Sequence, residues 1–432
     1  MLRKLKKLTG FFQKKLRIKR EKIQAPAVVF LDNRFPDFFN QIDYLFSSGF
    51  LPEGTAIITR YRKSNHKNIL AGVEPFGAKV YTFTTLANIP IVRPGAVIIY
   101  PYNAQTNNRM MLNRRCVHVF IGHGDSNKKA SVNPLLRAFD YVLIAGELSR
   151  KRLLDQGILR PQLTREHTIA IGATVIDQRH SRLYDYAKGA DGGALAYLPT
   201  WEGGLKAENY CTVAETNTAS FLIRLAKKLE TRTIILDVHP NLGQRQARYK
   251  TRFTALVMRL LDSGFTVKLR QKGGTVEGLR VVRKLIERGR LELLTARADI
   301  CYAVVDVSAA EGIIAAQNIP SAVIYRSETS FYSGQSYMDI RGDAIISVQD
   351  DASINKFFDF VGTPEDEEKQ KLFAQTLFSC DDEEMTSLDD SAKWNYLVKN
   401  YFFPEIPEED MDEDGATEEK VAESEEEAAE AE

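Results

Sequence analysis

Val117-His118-Val119-Phe120-Ile121-Gly122-His123-Gly124-Asp125-Ser126 is the stretch that decides how this chain is read. An apolar run that stops at a glycine-flanked histidine reads as a buried strand entering a loop at its carboxyl end, where open α/β sheets bind ligands. The same pattern recurs in the second half, where Thr233-Ile234-Ile235-Leu236-Asp237-Val238 runs into His239-Pro240-Asn241. One such loop in each half is the first expectation.

Working outward, short apolar runs at residues 27–31, 56–59, 96–100, 117–121, 141–145 and 169–172 alternate with helical stretches. Strands interleaved with helices call for βαβ crossovers and a mostly parallel sheet, so a Rossmann-like α/β domain is expected over residues 25–187. The glycine-rich Lys188-Gly189-Ala190-Asp191-Gly192-Gly193 reads as a linker. The pattern then restarts: helices at 216–229, 248–261 and 309–317 and strands at 234–238, 300–305 and 322–325 form a second Rossmann-like domain over 194–362. Residues 363–403 read as helices whose Leu372, Phe373, Leu377, Trp394, Leu397 and Phe402 return to the first domain.

The formal charge of +1 over 432 residues conceals a strong asymmetry. Residues 1–23 hold ten Lys/Arg against Glu21, whereas residues 404–432 hold fifteen acids against Lys420. The body is left mildly basic, which suits an anionic substrate. In the head, Leu2, Leu5, Leu8, Phe12 and Leu16 recur at spacings of three and four among lysines and arginines. Such a basic amphipathic helix lies on an anionic leaflet through residues 2–22, each cation adding about 1 kcal/mol at the surface. A helix docked on the body is the competing reading. The acidic tail has too few apolar residues to offset chain entropy and is expected to be disordered.

Cys116, Cys211, Cys301 and Cys380 show neither CxxC nor CxxH spacing. With no secretory leader and no run of about 20 apolar residues, the expectation is a cytoplasmic protein lying peripherally on the inner face of the membrane. The chain lacks GxxxxGK[ST], GxSxG and HExxH, which removes P-loop ATPase, serine hydrolase and zincin chemistry. No metal-ligand cluster is visible and no cofactor is expected. Nucleic acid is not an expected partner, because the positive charge gathers in the head without an interleaved aromatic platform.

What remains suits a nucleotide diphosphate. His123, with an ordinary pKa near 6.5, is placed to accept a proton from a hydroxyl, with Asp125 to orient it. His239 is placed to donate to a phosphate oxygen. Asp306-Val307-Ser308-Ala309-Ala310-Glu311-Gly312 opens a small-residue helix whose first-turn amides would receive a phosphate. Ser308 and Glu311 equally match a capping box that would satisfy those donors internally. Leu198-Pro199-Thr200-Trp201-Glu202-Gly203-Gly204 is either a ligand loop or an ordinary strand-to-helix turn. Lys128-Lys129 either neutralise phosphate or sit in solvent. His118 points into the sheet as a hydrogen-bonded core residue.

In order and spacing, Gly122-His123-Gly124, Leu198-Pro199-Thr200-Trp201, Val238-His239-Pro240, Asp306-Val307-Ser308 and Asn318-Ile319-Pro320-Ser321-Ala322-Val323-Ile324-Tyr325 resemble the CDP-glycerol glycerophosphotransferase family, which builds teichoic acids and related capsule polymers. The resemblance spans residues 115–326. It implies a GT-B fold, with two Rossmann-like domains facing across a cleft, the first for the acceptor and the second for the nucleotide donor. By it, His123 matches the catalytic base, His239 a histidine that contacts the donor diphosphate and Ser308 a serine at the phosphate-binding helix. With the neighbouring motif residues, the expected site is His123 and Asp125 for catalysis and Gly124, Thr200, His239, Pro240, Asp306, Ser308 and Glu311 for the donor. The implied reaction is attack of a hydroxyl of a glycan or lipid-linked acceptor on the β-phosphorus of CDP-glycerol or a related CDP-alditol, releasing CMP. Gly122, Glu202 and Ala309 stand where the family usually has tryptophan, arginine and a second serine. The alternatives are a GT-B glycosyltransferase using a nucleotide sugar for surface polysaccharide, and a catalytically silent GT-B-like recruitment module.

Overall fold

A computed structural model of the chain describes residues 20–32, 39, 42–122, 124–176, 183–187, 192–203, 208–270, 279–327 and 331–403, with residues 64 and 65 in backbone only. His123, residues 188–191 of the expected linker, nearly all of the expected basic helix and the whole acidic tail lie outside these residues.

The apolar runs become two parallel sheets. In the first, β1 (Ala27–Leu31), β2 (Ala56–Arg60), β3 (Val80–Phe83), β4 (Val97–Tyr100), β5 (Val117–Phe120), β6 (Tyr141–Ile144) and β7 (Thr168–Ala170) run in the order 3-2-1-4-5-6-7. In the second, β8 (Tyr184–Tyr186) pairs beside the path, and β9 (Ala194–Leu198), β10 (Thr233–Asp237), β11 (Thr266–Arg270), β12 (Glu292–Leu293), β13 (Ala298–Asp306), β14 (Ser321–Tyr325) and β15 (Ile345–Ser347) run in the order 12-11-10-9-13-14-15. Every pairing is parallel. Each order reverses once, next to β1 in the first sheet and next to β9 in the second, and such a switch point opens a crevice at the carboxyl ends of the strands. Two Rossmann-like domains meeting at a cleft, a GT-B-like α/β architecture, follow from these orders.

β1 and β9 are buried along their whole length, as expected of strands covered on both faces. Helices α1 (Lys63–Val73), α2 (Glu147–Asp155), α3 (Thr218–Lys228), α4 (Arg248–Asp262), α5 (Arg280–Glu287), α6 (Ala310–Ala315), α7 (Gln335–Arg341) and α8 (Asp351–Phe360) supply most of that cover. The helices α9 (Pro364–Leu377) and α10 (Asp390–Leu397) cross back to the first domain, where Phe373, Leu377, Trp394, Leu397 and Phe402 join the core of Val29, Val119, Leu143 and Ile169. Trp394 meets Phe50 edge-on at 5.8 Å. β8, which precedes the expected linker, belongs to the second sheet through its pairing with β13. His118 is a core residue, with its Nδ1 2.8 Å from the Tyr100 hydroxyl and its Nε2 3.0 Å from the Asn113 carbonyl.

Candidate functional site

The cleft is lined by the loops that leave β5, β9, β10 and β13. The loop after β5 turns through Gly122 at φ 71° and Gly124 at φ 119°, backbone values open to glycine and strained for other residues. A Cβ on Gly124 would stand 2.8 Å from the Ala309 Cβ, so this loop of the first domain abuts the β13–α6 turn of the second. His123 between the glycines is outside the described residues.

Lys128, farther along the same loop, bridges the domains. Its Nζ donates to Thr200 Oγ1 at 3.0 Å and lies 5.5 Å from the centre of the Tyr210 ring. The Lys129 N–H donates to the Tyr210 hydroxyl at 3.1 Å, while the Lys129 side chain is exposed. Of the two lysines, only Lys128 faces the cleft. Burial pulls its pKa down to about 8, against the opposing pull of Asp306.

Opposite stands His239. The Asn241 N–H donates to its Nδ1 at 3.1 Å, which places the proton of the neutral ring on Nε2. Burial and then Lys128 push its pKa down to about 4, so the ring is a neutral donor near neutral pH. It stacks on Trp201 at 5.9 Å with 19° between the planes, and Pro240 beside it is exposed.

Glu202 explains how that loop is held. It is fully buried, and its carboxylate accepts from the backbone N–H groups of Gly243, Arg245 and Gln246, each at 2.8 Å. The carboxylate that stands in place of the family's arginine therefore anchors the His239 loop and is turned away from the cleft.

The remaining sequence-derived site residues divide. Thr200 faces Lys128, and Ser308 sits half-buried at the turn into α6, its Oγ accepting the Ala310 N–H at 3.3 Å. Asp306, read as a donor-binding residue, is instead sealed under the cleft floor. Its Oδ2 accepts from the Thr200 and Thr212 N–H groups at 2.9 and 3.2 Å, and its Oδ1 accepts from Thr212 Oγ1 at 2.6 Å. Burial raises its pKa to about 7.

Glu311 is likewise turned inward, to the Tyr337 hydroxyl at 2.7 Å and Arg341 Nε at 3.1 Å. Its carboxyl is occupied there, so the reciprocal half of the expected capping box is not made, and Ser308 Oγ alone reaches the start of α6. Asp125 is bound by Arg152 and Ser149. Asp125, Arg152, Glu311 and Tyr337 thus line a water-sized cavity of about 20 Å³ between the domains. Sequence reasoning left Lys128 between a phosphate contact and solvent, and passed over Arg152, Arg341 and Tyr210, which follow no strand-end rule. Among the described residues no cluster of three or more His, Cys, Asp or Glu is arranged to hold a metal, and no helix is long and apolar enough to cross a membrane.

No protein-family model matches the chain, and no characterised protein matches it in sequence. Solved structures do overlay on it remotely. UDP-GlcNAc 2-epimerase from Neisseria meningitidis bound to UDP-GlcNAc is 11% identical, with 88% of this chain and 100% of that one covered at a TM-score of 0.44. MurG from Acinetobacter baumannii is 9% identical, with 86% and 99% covered at 0.46. Anabaena Alr3699/HepE in complex with UDP and glucose is 11% identical, with 86% and 98% covered at 0.40. Likeness this remote bears on neither substrate nor mechanism. The assignment of two Rossmann-like domains stands on strand order and register.

Proposed function

We propose that this chain is a transferase that binds a nucleotide-activated donor in the interdomain cleft and moves the activated group to an acceptor hydroxyl. The observation that carries this reading is the pairing of Lys128 from one domain with His239 from the other. The Lys128 ammonium reaches across to the Thr200 hydroxyl, and the His239 ring, stacked on Trp201, is held neutral by burial and by that nearby charge. A donor diphosphate supplies the negative charge such a pair lacks, and both groups would stabilise the charge that develops on the leaving phosphate.

In glycosyl transfer, the acceptor oxygen forms a bond to the anomeric carbon as the bond from that carbon to the phosphate oxygen breaks, and a nucleoside diphosphate leaves. The acceptor proton passes to a general base, a role the sequence reading gives to His123. The ordered motifs shared with the CDP-glycerol glycerophosphotransferases favour a second reading. Here the acceptor oxygen attacks the β-phosphorus of a CDP-alditol, the bridging P–O bond breaks, CMP leaves and a phosphodiester forms. On either reading, we place the acceptor among surface glycans or lipid-linked precursors, with residues 2–22 on the cytoplasmic face of the membrane.

Incubation with a panel of nucleotide-activated sugars and alditols, followed by mass spectrometry of the released nucleotide, tests the proposal. Release of a nucleoside diphosphate with a new glycosidic bond supports the first reading, and CMP with a phosphodiester supports the second. Donor binding without turnover across the panel and a range of hydroxyl acceptors points to the silent module.

A further inference from the structure

Both charged segments join the described fold on the first domain. The basic segment enters at Arg20, whose Nε donates to the Ala87 carbonyl at 2.9 Å. Lys22–Ile23 then pairs with Ile91–Val92, and the Arg93 N–H donates to the Ile23 carbonyl at 3.0 Å. The acidic segment departs after Phe402 and Phe403. Phe402 lies 5.5 Å from the Tyr141 ring, and the Tyr141 hydroxyl donates to the Tyr401 carbonyl at 2.6 Å. Val97, Val117 and Tyr141 open the neighbouring strands β4, β5 and β6, so the exit at Phe403 and the loops that carry Arg93 and Arg115 share the amino edge of the sheet, on the order of 10 Å apart at about 4.8 Å per strand.

The surface between them is basic. Arg93, Arg114 and Arg115 are exposed, and the Gly95 N–H on the Arg115 carbonyl at 2.8 Å joins the two stretches. Of the acids nearby, Glu21 is exposed and Asp140 is engaged by the His118 N–H at 2.7 Å. Leu112, 67% exposed, is the most exposed large apolar side chain among the described residues and lies at the same edge.

We propose that residues 404–432 dock on this surface of their own chain, acids against Arg93, Arg114 and Arg115. Fifteen acids and one lysine make the segment complementary to it, and Ile406 and Met411 are apolar residues available to cover Leu112. At about 3.3 Å per residue its 29 residues span far more than the gap, so reach sets no limit. Tethering at Phe403 makes the contact intramolecular, with an effective concentration in the millimolar range. The docked tail competes with anionic lipid for these arginines. This inference does not depend on what the cleft binds.

Hydrogen exchange of residues 91–95 and 109–116 tests it, comparing the full chain with one ending at Phe403. The docked tail predicts slower exchange in the full chain at about 0.05 M salt and no difference at about 0.5 M, where screening reaches within a few ångströms. Flotation with phosphatidylserine-containing vesicles should show the truncated chain binding at least about fivefold tighter, the effect of freeing one cation for the surface. In the full chain, Arg114→Glu with Arg115→Glu should abolish the protection. If that variant does not fold, truncation decides, since it leaves the described fold intact. Equal exchange in the two chains, protection only with vesicles present, or protection that grows with protein concentration would each overturn the proposal, the last two by naming a membrane or a second copy as the occupant.

Discussion

Lys128 and Thr200 belong to different domains, yet Lys128 Nζ donates to Thr200 Oγ1 at 3.0 Å and thereby ties the loop after β5 to the loop after β9. With a pKa near 8, Lys128 begins to lose its charge just above neutral pH in the ligand-free protein. A diphosphate bound against it favours the ammonium and raises that pKa. Affinity for a nucleotide-activated donor is therefore full below about pH 8 and falls as pH rises, until the pKa of the bound state is passed. Calorimetric titration between pH 7 and pH 10 should show this decline in the wild type and its absence in Lys128→Met.

Glu202 acts through the loop it anchors. Glu202→Ala leaves the buried Gly243 N–H and the part-buried Arg245 and Gln246 N–H groups without their acceptor, at up to about 1–3 kcal/mol each before relaxation. Urea unfolding followed through the second domain should show a loss of about 2–5 kcal/mol. Donor affinity should fall in parallel as His239 loses its support. Glu202→Gln, which keeps one acceptor, should recover part of both. Wild-type stability in the alanine variant would contradict this assignment.

The hydrogen bond from Asn241 to His239 Nδ1 fixes a tautomer that can be observed directly. Nitrogen-detected NMR of the imidazole should report a neutral ring protonated on Nε2 at pH 6, with protonation only toward pH 4. Titration near the ordinary histidine value of about 6.5 would place the ring in water and not against Lys128.

Strand-end loops were legible because a buried parallel strand is a contiguous apolar run and its end is marked by glycine or a polar residue. The runs entering Gly122 and His239 are of this kind. β11 and β3 were passed over, because Thr266–Arg270 and Val80–Phe83 alternate polar residues such as Lys268 and Thr82 with apolar ones and do not read as apolar runs. Asp306 and Glu311 were assigned to the donor and Asp125 to the orientation of His123. Sequence position fixes where a carboxylate starts, whereas its partners, Thr212, Tyr337 and Arg152, come from distant segments. The same blindness hid the role of Glu202, whose three amides lie some 40 residues downstream.

Gly124 brings the first domain against the α6 turn. Gly124→Ala adds a Cβ that meets Ala309 in a backbone conformation L residues rarely adopt, so the loop and the turn must part. Turnover should drop at least about tenfold, since a displacement of about 1 Å at a reacting group costs more than that. Secondary structure by circular dichroism should be unchanged.

His123→Ala should abolish transfer while leaving donor affinity intact, as expected of a base that serves the acceptor. Single-turnover kinetics beside equilibrium binding separates the two, and loss of donor affinity in this variant would reassign the residue.

The central claim is that Lys128 and His239 hold one anion between the domains. Titration of nucleotide-activated donors into the wild type, Lys128→Met, His239→Ala and the double variant measures it most directly. The account predicts that each single change weakens binding by about tenfold or more, and that the double variant loses less than the sum of the two, because both groups bind the same phosphates. Undiminished affinity in both single variants, or strict additivity between them, would contradict it.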